Sequence, residues 1–368
     1  MKIAFDHQIF GWQRYGGVSR YFLELASHIK STGDEAVDCQ IICPFYVNEY
    51  LRQSRSSVHV TGIHAPAIRR TGRLYRIINE FLAPFILWRW CPNILHETYY
   101  AKKTVSPRGC KTVLTVFDMI HELYPQFFPA WDRTREEKRA AVARADHIVC
   151  ISENTQRDLI RLLHVPEEKT TVVHLGFALN QSKVADLARP QRPFILFVGS
   201  RAGYKNFDRL LQAYAGRSIL RDSYDLVAFG GGHFNGREKT LVRSLGLNEN
   251  QVRQMSGDDA VLCAIYRQAS LFVYPSLYEG FGIPPLEAMS LDCPVACSNT
   301  SSMPEVVGNA AIQFDPYEVD SIANALEAVV TNSALQADLR QRGRDRLQAF
   351  SWDRCALETL NVYRKVLF

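Results

Sequence analysis

The sequence predicts an α/β protein made of two doubly wound, parallel-sheet halves. Three observations carry that prediction. Short apolar runs alternate with longer amphipathic segments, the turns joining them are glycine-rich or polar, and the alternation falls into two separate series. At roughly 150 residues per domain, a chain of 368 residues holds two such halves.

The first series opens with an apolar strand over 2–5, which leads through Gly16-Gly17 into a helix over 18–30. Further strands are predicted at 112–117 and 147–151. The second series begins with the strongest run, 193–199, followed by a turn and a helix over 207–214. Strands at 224–229, 271–274, 294–298 and 310–314 complete it, the first ending in Gly230-Gly231-Gly232. Between the series, residues 180–192 are polar and poorly periodic, and close on Arg189-Pro190 and Arg192-Pro193. The domains are therefore expected at 1–185 and from 186 onward. In doubly wound sheets ligands lie beyond the carboxyl ends of the strands, so the expected site is the cleft between the halves.

Composition narrows the class of function. With 47% hydrophobic and 22% charged residues, the chain is an ordinary globular one rather than disordered, collagenous or coiled-coil. The longest apolar stretch of the first half, residues 81–88, is enclosed by Glu80 and Arg89. A spanning helix needs about 20 apolar residues. Asp6 precedes any apolar leader region, so no signal peptide is expected. A net charge of +5 is too mild to imply nucleic acid. Nine cysteines are scattered from Cys39 to Cys355 without a Cys-x-x-Cys; Cys39/Cys43 and Cys293/Cys297 lie in strand-like runs with no histidine at ligand spacing. Buried reduced thiols and a cytosolic setting follow.

Four motifs can carry chemistry. The sharpest is PSLYEGFGIPPLEAMS over 275–290, where a strand stops, a Gly-x-Gly turn follows and Pro284-Pro285 opens a helix. Glu287 is expected in the first helical turn and Glu279 in the loop facing the same crevice. Carboxylates accept hydrogen bonds from sugar hydroxyls, and the exposed amides of such a turn favour an anion. The second is GSRAGYKN over 199–206, directly after the strongest strand. There Arg201 can grip phosphate bidentately and Lys205 acts as a point charge. The third, YGGVSR over 15–20, is a flexible turn that lets backbone approach a ligand. The fourth, VFDMIHE over 116–122, places Asp118 and His121 at a strand end. They suit sugar hydroxyls or proton handling; the alternative is a structural histidine.

Absences are equally informative. No Gly-x-Gly-x-x-Gly follows Phe5, Val198 or Phe229, which disfavours a dinucleotide dehydrogenase. Neither a phosphate-binding Gly-x4-Gly-Lys loop, a His-Glu-x-x-His nor a Gly-x-Ser-x-Gly elbow is present. No Asp-x-Asp offers a metal clamp, so charge on a leaving diphosphate falls to Arg201, Lys205 and helix N-termini.

Taken together, FVGSR at 197–201, Lys205-Asn206, Gly230–Gly232, YRQA at 266–269, the 275–288 motif, Pro294-Val295, MPEV at 303–306 and FSWD at 350–353 resemble the retaining glycosyltransferases of family 4, which have the two-domain GT-B fold. Gly16-Gly17 and Ile151-Ser152-Glu153 extend the resemblance over nearly the whole chain. It implies that Glu279, with the amides of Gly280, Phe281, Gly282 and Ile283, contacts the hexose of a nucleotide-sugar donor, and that Glu287 holds the ribose. Arg201 and Lys205, with Gly199, would bind the diphosphate, Gly16 and Gly17 would lie at its other side, and Met255 and Ser256 would edge the base. It also implies that residues 351–368, leaving a donor domain of 186–350, form a helix that returns to the first domain. Relatives often carry His-Asp where this chain has Phe117-Asp118, so His121 stands in for that histidine or the group is missing. The opening YGGVSRY and DMIHE resemble a subset assigned as mannosyltransferases of bacterial surface polysaccharides, which implies GDP-mannose as donor, a glycan or polyprenyl-linked acceptor, and no cofactor or metal.

Other readings share the architecture. A UDP-sugar transferase uses the same motifs, a phosphorylase needs a pyridoxal-bearing lysine that no motif marks, and a non-catalytic protein would bind the nucleotide sugar without turnover. Separately, residues 68–90 set Arg69, Arg70, Arg73, Arg76 and Arg89 among large apolar side chains. That segment is either a peripheral contact with an anionic membrane or a helix packed on the first domain.

Overall fold

A computed structural model describes residues 1–54, 57–66, 71–177, 184–201 and 203–368. Residues 68–70 of the arginine-rich segment and 180–183 of the expected boundary lie outside the described residues. The chain divides into two units, Met1–Gly176 with Ser351–Phe368, and Phe177–Phe350. The division thus falls after Gly176, earlier than the 185/186 read from composition.

The first unit holds a seven-stranded sheet of β1 (Lys2–Phe5), β2 (Asp38–Tyr46), β3 (His59–His64), β4 (Ile94–Glu97), β5 (Lys111–Val116), β6 (His147–Cys150) and β7 (Thr170–Val172). Its order is β3-β2-β1-β4-β5-β6-β7, with every pairing parallel. A parallel sheet needs cover on both faces, and β4 and β6 are buried at every position. The second unit holds β8 (Phe194–Val198), β9 (Asp225–Phe229), β10 (Val252–Met255), β11 (Leu271–Tyr274), β12 (Val295–Ser298) and β13 (Ile312–Phe314). They are ordered β10-β9-β8-β11-β12-β13, again all parallel. The order in which successive strands are added reverses between β1 and β4 in one sheet and between β8 and β11 in the other. Loops leaving the two central strands diverge there and open a crevice.

Strands β3, β4, β7 and β10 escape the sequence reading because polar residues interrupt their apolar pattern. In β4, His96 and Glu97 are buried, and each is satisfied by a distant partner. His96 meets the Tyr363 hydroxyl at 2.6 Å and that of Thr115 at 2.8 Å, while Arg144 donates to both Glu97 oxygens at 3.2 and 2.7 Å.

The predicted 18–30 helix spans Gly17–Ser31, and the C-terminal helix Trp352–Leu367 packs against it. The latter begins where Ser351 accepts a hydrogen bond from the Arg354 amide, and it is pinned by Asp353 to His28 at 2.7 Å and by Arg364 to Asp34 at 3.1 Å. The return of residues 351–368 to the first domain is therefore a feature of the fold. The arginine-rich segment forms one helix, Gly72–Trp90, that continues through Pro84. It binds β2 through Asn79, whose amide exchanges 2.8 Å hydrogen bonds with both backbone groups of Phe45, and buries Leu87 against Ala4, Ile42 and Leu95. The nine cysteines are free; all are buried or half-buried except Cys91, which is exposed against expectation because it terminates this helix in a left-handed conformation.

Candidate functional site

At the carboxyl edge of the second sheet, the loops after β8 and β11 bring two predicted residues together. Lys205 donates to Glu279 at 2.6 Å and to the Tyr274 hydroxyl at 3.2 Å, with the Tyr204 and Tyr274 rings each 5.3 Å from its ammonium. Both partners are largely buried, so the pair is poorly screened. Burial, then the Glu279 charge, pushes the Tyr274 phenol well above its usual range and keeps it a hydroxyl. A cation and an acid in contact at a topological switch point offer one charge to phosphate and hydrogen-bond acceptors to hydroxyls.

The loop that carries Glu279 is held from behind. Ser302 donates to the carbonyls of Glu279 and Phe281 at 2.9 and 2.8 Å, Thr300 to Leu277 at 3.0 Å and Ser298 to Ser276 at 2.7 Å. Ser301 accepts from the Glu279 amide at 3.0 Å. These hydroxyls were missed by sequence reasoning; the signal was SNTSS over 298–302, which begins on the last residue of β12. Asn206 adds bonds from its side-chain amide to the carbonyls of Pro275 at 3.0 Å and Pro316 at 2.7 Å. Beyond Gly280 and the buried Phe281, Gly282 takes φ 103°, and a Cβ there would lie 2.1 Å from Met303. Only glycine fits that turn.

Gly282 caps the helix Ile283–Ser290, whose start at Ile283 corrects one expectation: Glu287 is its fifth residue, outside the first turn. The acid is half-buried and accepts from the Tyr266 hydroxyl at 3.4 Å. It remains on the edge that bears Glu279.

Arg201 is placed differently from Lys205. Its guanidinium is buried and meets Glu238 at 2.8 Å, and it donates to the carbonyls of Gly230, Gly231, Gly232 and His233 at 2.8, 3.3, 2.9 and 3.2 Å. The Phe234 ring lies 4.8 Å from it. At Gly231, with φ 66°, a Cβ would come within 2.8 Å of the guanidinium. Arg201 thus braces the glycine loop and is paired with Glu238, which no motif marked. The neighbouring Gly199 amide bonds the Phe229 carbonyl at 3.0 Å and the Gly230 amide bonds Met255 at 2.9 Å. Ser256 accepts from Gln254 at 2.7 Å, so Met255 and Ser256 end the adjacent strand on the same edge.

In the first unit, Gly16 and Gly17 open the helix Gly17–Ser31, and a Cβ at Gly17 would meet nothing within 4 Å. Asp118 and His121 follow β5. Lys138, fully buried, donates at 2.8 Å to both the Asp118 carbonyl and the Glu122 carboxylate, and lies 3.7 Å from the Asp118 carboxylate. His121 stacks on Phe128 with centroids 3.9 Å apart and sits 3.7 Å from Asp132. Burial, then Lys138, lowers its pKa, which favours a neutral imidazole. Among the described residues, no group of three His, Cys, Asp or Glu is placed to hold a metal ion, and no helix is long and apolar enough to cross a membrane.

The fold and this strand-end constellation define a GT-B glycosyltransferase. Among solved structures, sucrose-phosphate synthase from Thermosynechococcus elongatus superposes with TM-score 0.76 at 20% identity, covering 99% of this chain and 98% of that one. Anabaena HepE, solved in complex with UDP, matches with TM-score 0.73 at 16% identity over 99% and 100% of the two chains. In sequence, the Escherichia coli O-antigen chain mannosyltransferase B is 31% identical over 72% of this chain and 74% of its own length. The serotype-specific mannosyltransferase WbdA of the same organism is 29% identical over 70% of this chain, which spans only 34% of that longer protein. Family models for "Glycosyltransferase Family 4" and "Glycosyl transferases group 1" match residues 15–181 and 180–346. The chain belongs to glycosyltransferase family 4.

Proposed function

We propose that this protein transfers mannose from GDP-mannose, with retention of configuration and without a metal ion, to a glycan or polyprenyl-linked acceptor of surface-polysaccharide synthesis. The observation that carries the reading is the Lys205–Glu279 pair, 2.6 Å apart at the β8/β11 switch point with Glu287 on the same edge. The mannosyltransferase names of sequence relatives support the sugar.

Lys205 meets the diphosphate, Glu279 accepts from hexose hydroxyls, and Glu287 accepts from the ribose. The bond from the anomeric carbon to the β-phosphate oxygen breaks as the acceptor oxygen bonds the same face, and the acceptor proton passes to the departing phosphate. No side chain forms a covalent intermediate. Charge on the leaving group is met by Lys205 and by the amides at the start of Ile283–Ser290. Asp118 and His121, which follow β5 in the first unit, are assigned to sugar hydroxyls or proton handling. The protein works in the cytoplasm, at the membrane face where a lipid-linked acceptor is presented.

A UDP-sugar donor is the second reading, favoured by the UDP bound in the HepE structure. A donor screen that reads release of free nucleoside diphosphate, with and without EDTA, separates the two. GDP-mannose should give the fastest turnover, unaffected by EDTA. Release from UDP-sugars alone would move the assignment to the second reading, and binding without release would make the protein a non-catalytic nucleotide-sugar binder.

A further inference from the structure

The helix Gly72–Trp90 is apolar on two opposite faces. One face turns Asn79, Ala83 and Leu87 into the domain, where all three are fully buried. At 3.6 residues per turn, Leu74, Ile77, Phe81, Phe85 and Trp88 form a second stripe about 80° wide on the other side. That stripe is bare: Phe81 is 85% exposed, Trp88 66%, Phe85 63%, Ile77 54% and Leu74 53%. Contiguous exposed apolar surface of this kind marks an interaction site.

The charges beside the stripe identify the occupant. Arg73 and Arg89 fall on its two flanks, about 80° to either side of its centre. Among the described residues neither has an ion-pair partner. Glu80, the single acid of the helix, is taken by Arg76 at 3.4 Å. A second copy laid on the stripe would bring these arginines no unpaired acid from the same helix, since its Glu80 is held by Arg76. An apolar stripe between two cationic margins, with a tryptophan beside the last arginine, instead matches an anionic bilayer surface.

We infer that Leu74, Ile77, Phe81, Phe85 and Trp88 insert into the interfacial region of an anionic phospholipid bilayer, with Arg73 and Arg89 on its headgroups. The inference rests on the proposed function only in that a lipid-linked acceptor gives the docking a purpose; the binding itself needs no donor.

The test is sedimentation of the full chain with vesicles of phosphatidylcholine alone or mixed with phosphatidylglycerol. Wild type should pellet with the mixed vesicles at low salt. Phe81→Ser/Trp88→Ser should reduce the bound fraction about tenfold or more, and Arg73→Glu/Arg89→Glu should abolish the preference for phosphatidylglycerol. Because these side chains are exposed, thermal unfolding and nucleoside-diphosphate release should match wild type in both variants. That readout keeps a failure of docking distinct from a failure of the sugar-transfer reading. Absence of wild-type binding, equal binding of Phe81→Ser/Trp88→Ser, or a dimer by light scattering that this variant dissociates would each overturn the inference, the last in favour of a second copy.

Discussion

The carboxyl edges of the two sheets are built alike and furnished differently. On the second sheet, the residues singled out by motif touch one another: Lys205 bonds Glu279 directly. On the first, Asp118 and His121 are each held by a residue outside the motif, Lys138 for one and the Phe128 ring for the other. Both edges also hide a buried ion pair one layer back, Arg201–Glu238 and Lys138–Glu122. A charged motif residue at a strand end therefore has two separate jobs available. It can be left on the strand edge to face a ligand, the role proposed for Lys205, or it can hold the neighbouring loop, as Arg201 holds the glycine loop.

The deepest pairs should show the largest effects. Removing one member of a buried ion pair leaves an uncompensated charge, which costs about 3–5 kcal/mol. Lys138→Met and Arg201→Met should each lose stability of that order in denaturant unfolding, and Glu122→Gln or Glu238→Gln in the same chain should restore much of it. If Arg201→Met unfolds like wild type while donor turnover collapses, Arg201 is a ligand for the diphosphate and the contrast with Lys205 disappears.

The first unit should also be more sensitive to acid. Burial lowers the His96 imidazole from 6.5 to about 3. Below pH 6.5 the unfolded chain therefore binds a proton that the folded chain refuses. His96 thus contributes stability that is full above its unfolded value and is lost by about 1.4 kcal/mol per pH unit as pH falls toward its folded one. Because Tyr363 of the C-terminal helix bonds this ring, the thermal midpoint and the protection of that helix from hydrogen exchange should fall together in acid. His96→Asn should flatten the dependence; an unchanged slope would remove His96 from the account.

A smaller effect is expected at Glu287, one turn inside its helix. Glu287→Ala should weaken donor binding about tenfold, the loss of one charge-assisted hydrogen bond, with stability near wild type. Calorimetric titration with donor checks it; unchanged affinity for every nucleotide sugar would take Glu287 out of the site.

Much of this was legible in the chain. Strands β1, β5, β6, β8, β9, β11 and β12 read directly because they are apolar runs ending in glycine, proline or polar turns. That Glu279 and Lys205 follow strand ends was legible, because parallel strands deliver their following loops to one edge; their direct contact was not. Lys138 was not, because within TREEKRAAVAR it has the pattern of a solvated face, and only the fold brings Glu122 and Asp118 over it. Glu238 was hidden for the same reason: it completes a capping box with Asn235, and its contact with Arg201 crosses 37 positions of sequence. The position of Glu287 shifted because the left-handed Gly282 starts the helix before Pro284.

In the proposed reaction Lys205 and Glu279 face the donor. The most direct test is turnover of GDP-mannose by wild type, Lys205→Met and Glu279→Gln, each checked for native unfolding behaviour. Loss of a preorganised charge contact at the leaving group costs about 10²–10³ in kcat, and each folded variant should fall by that order. Two folded variants that release GDP at the wild-type rate would contradict the assignment.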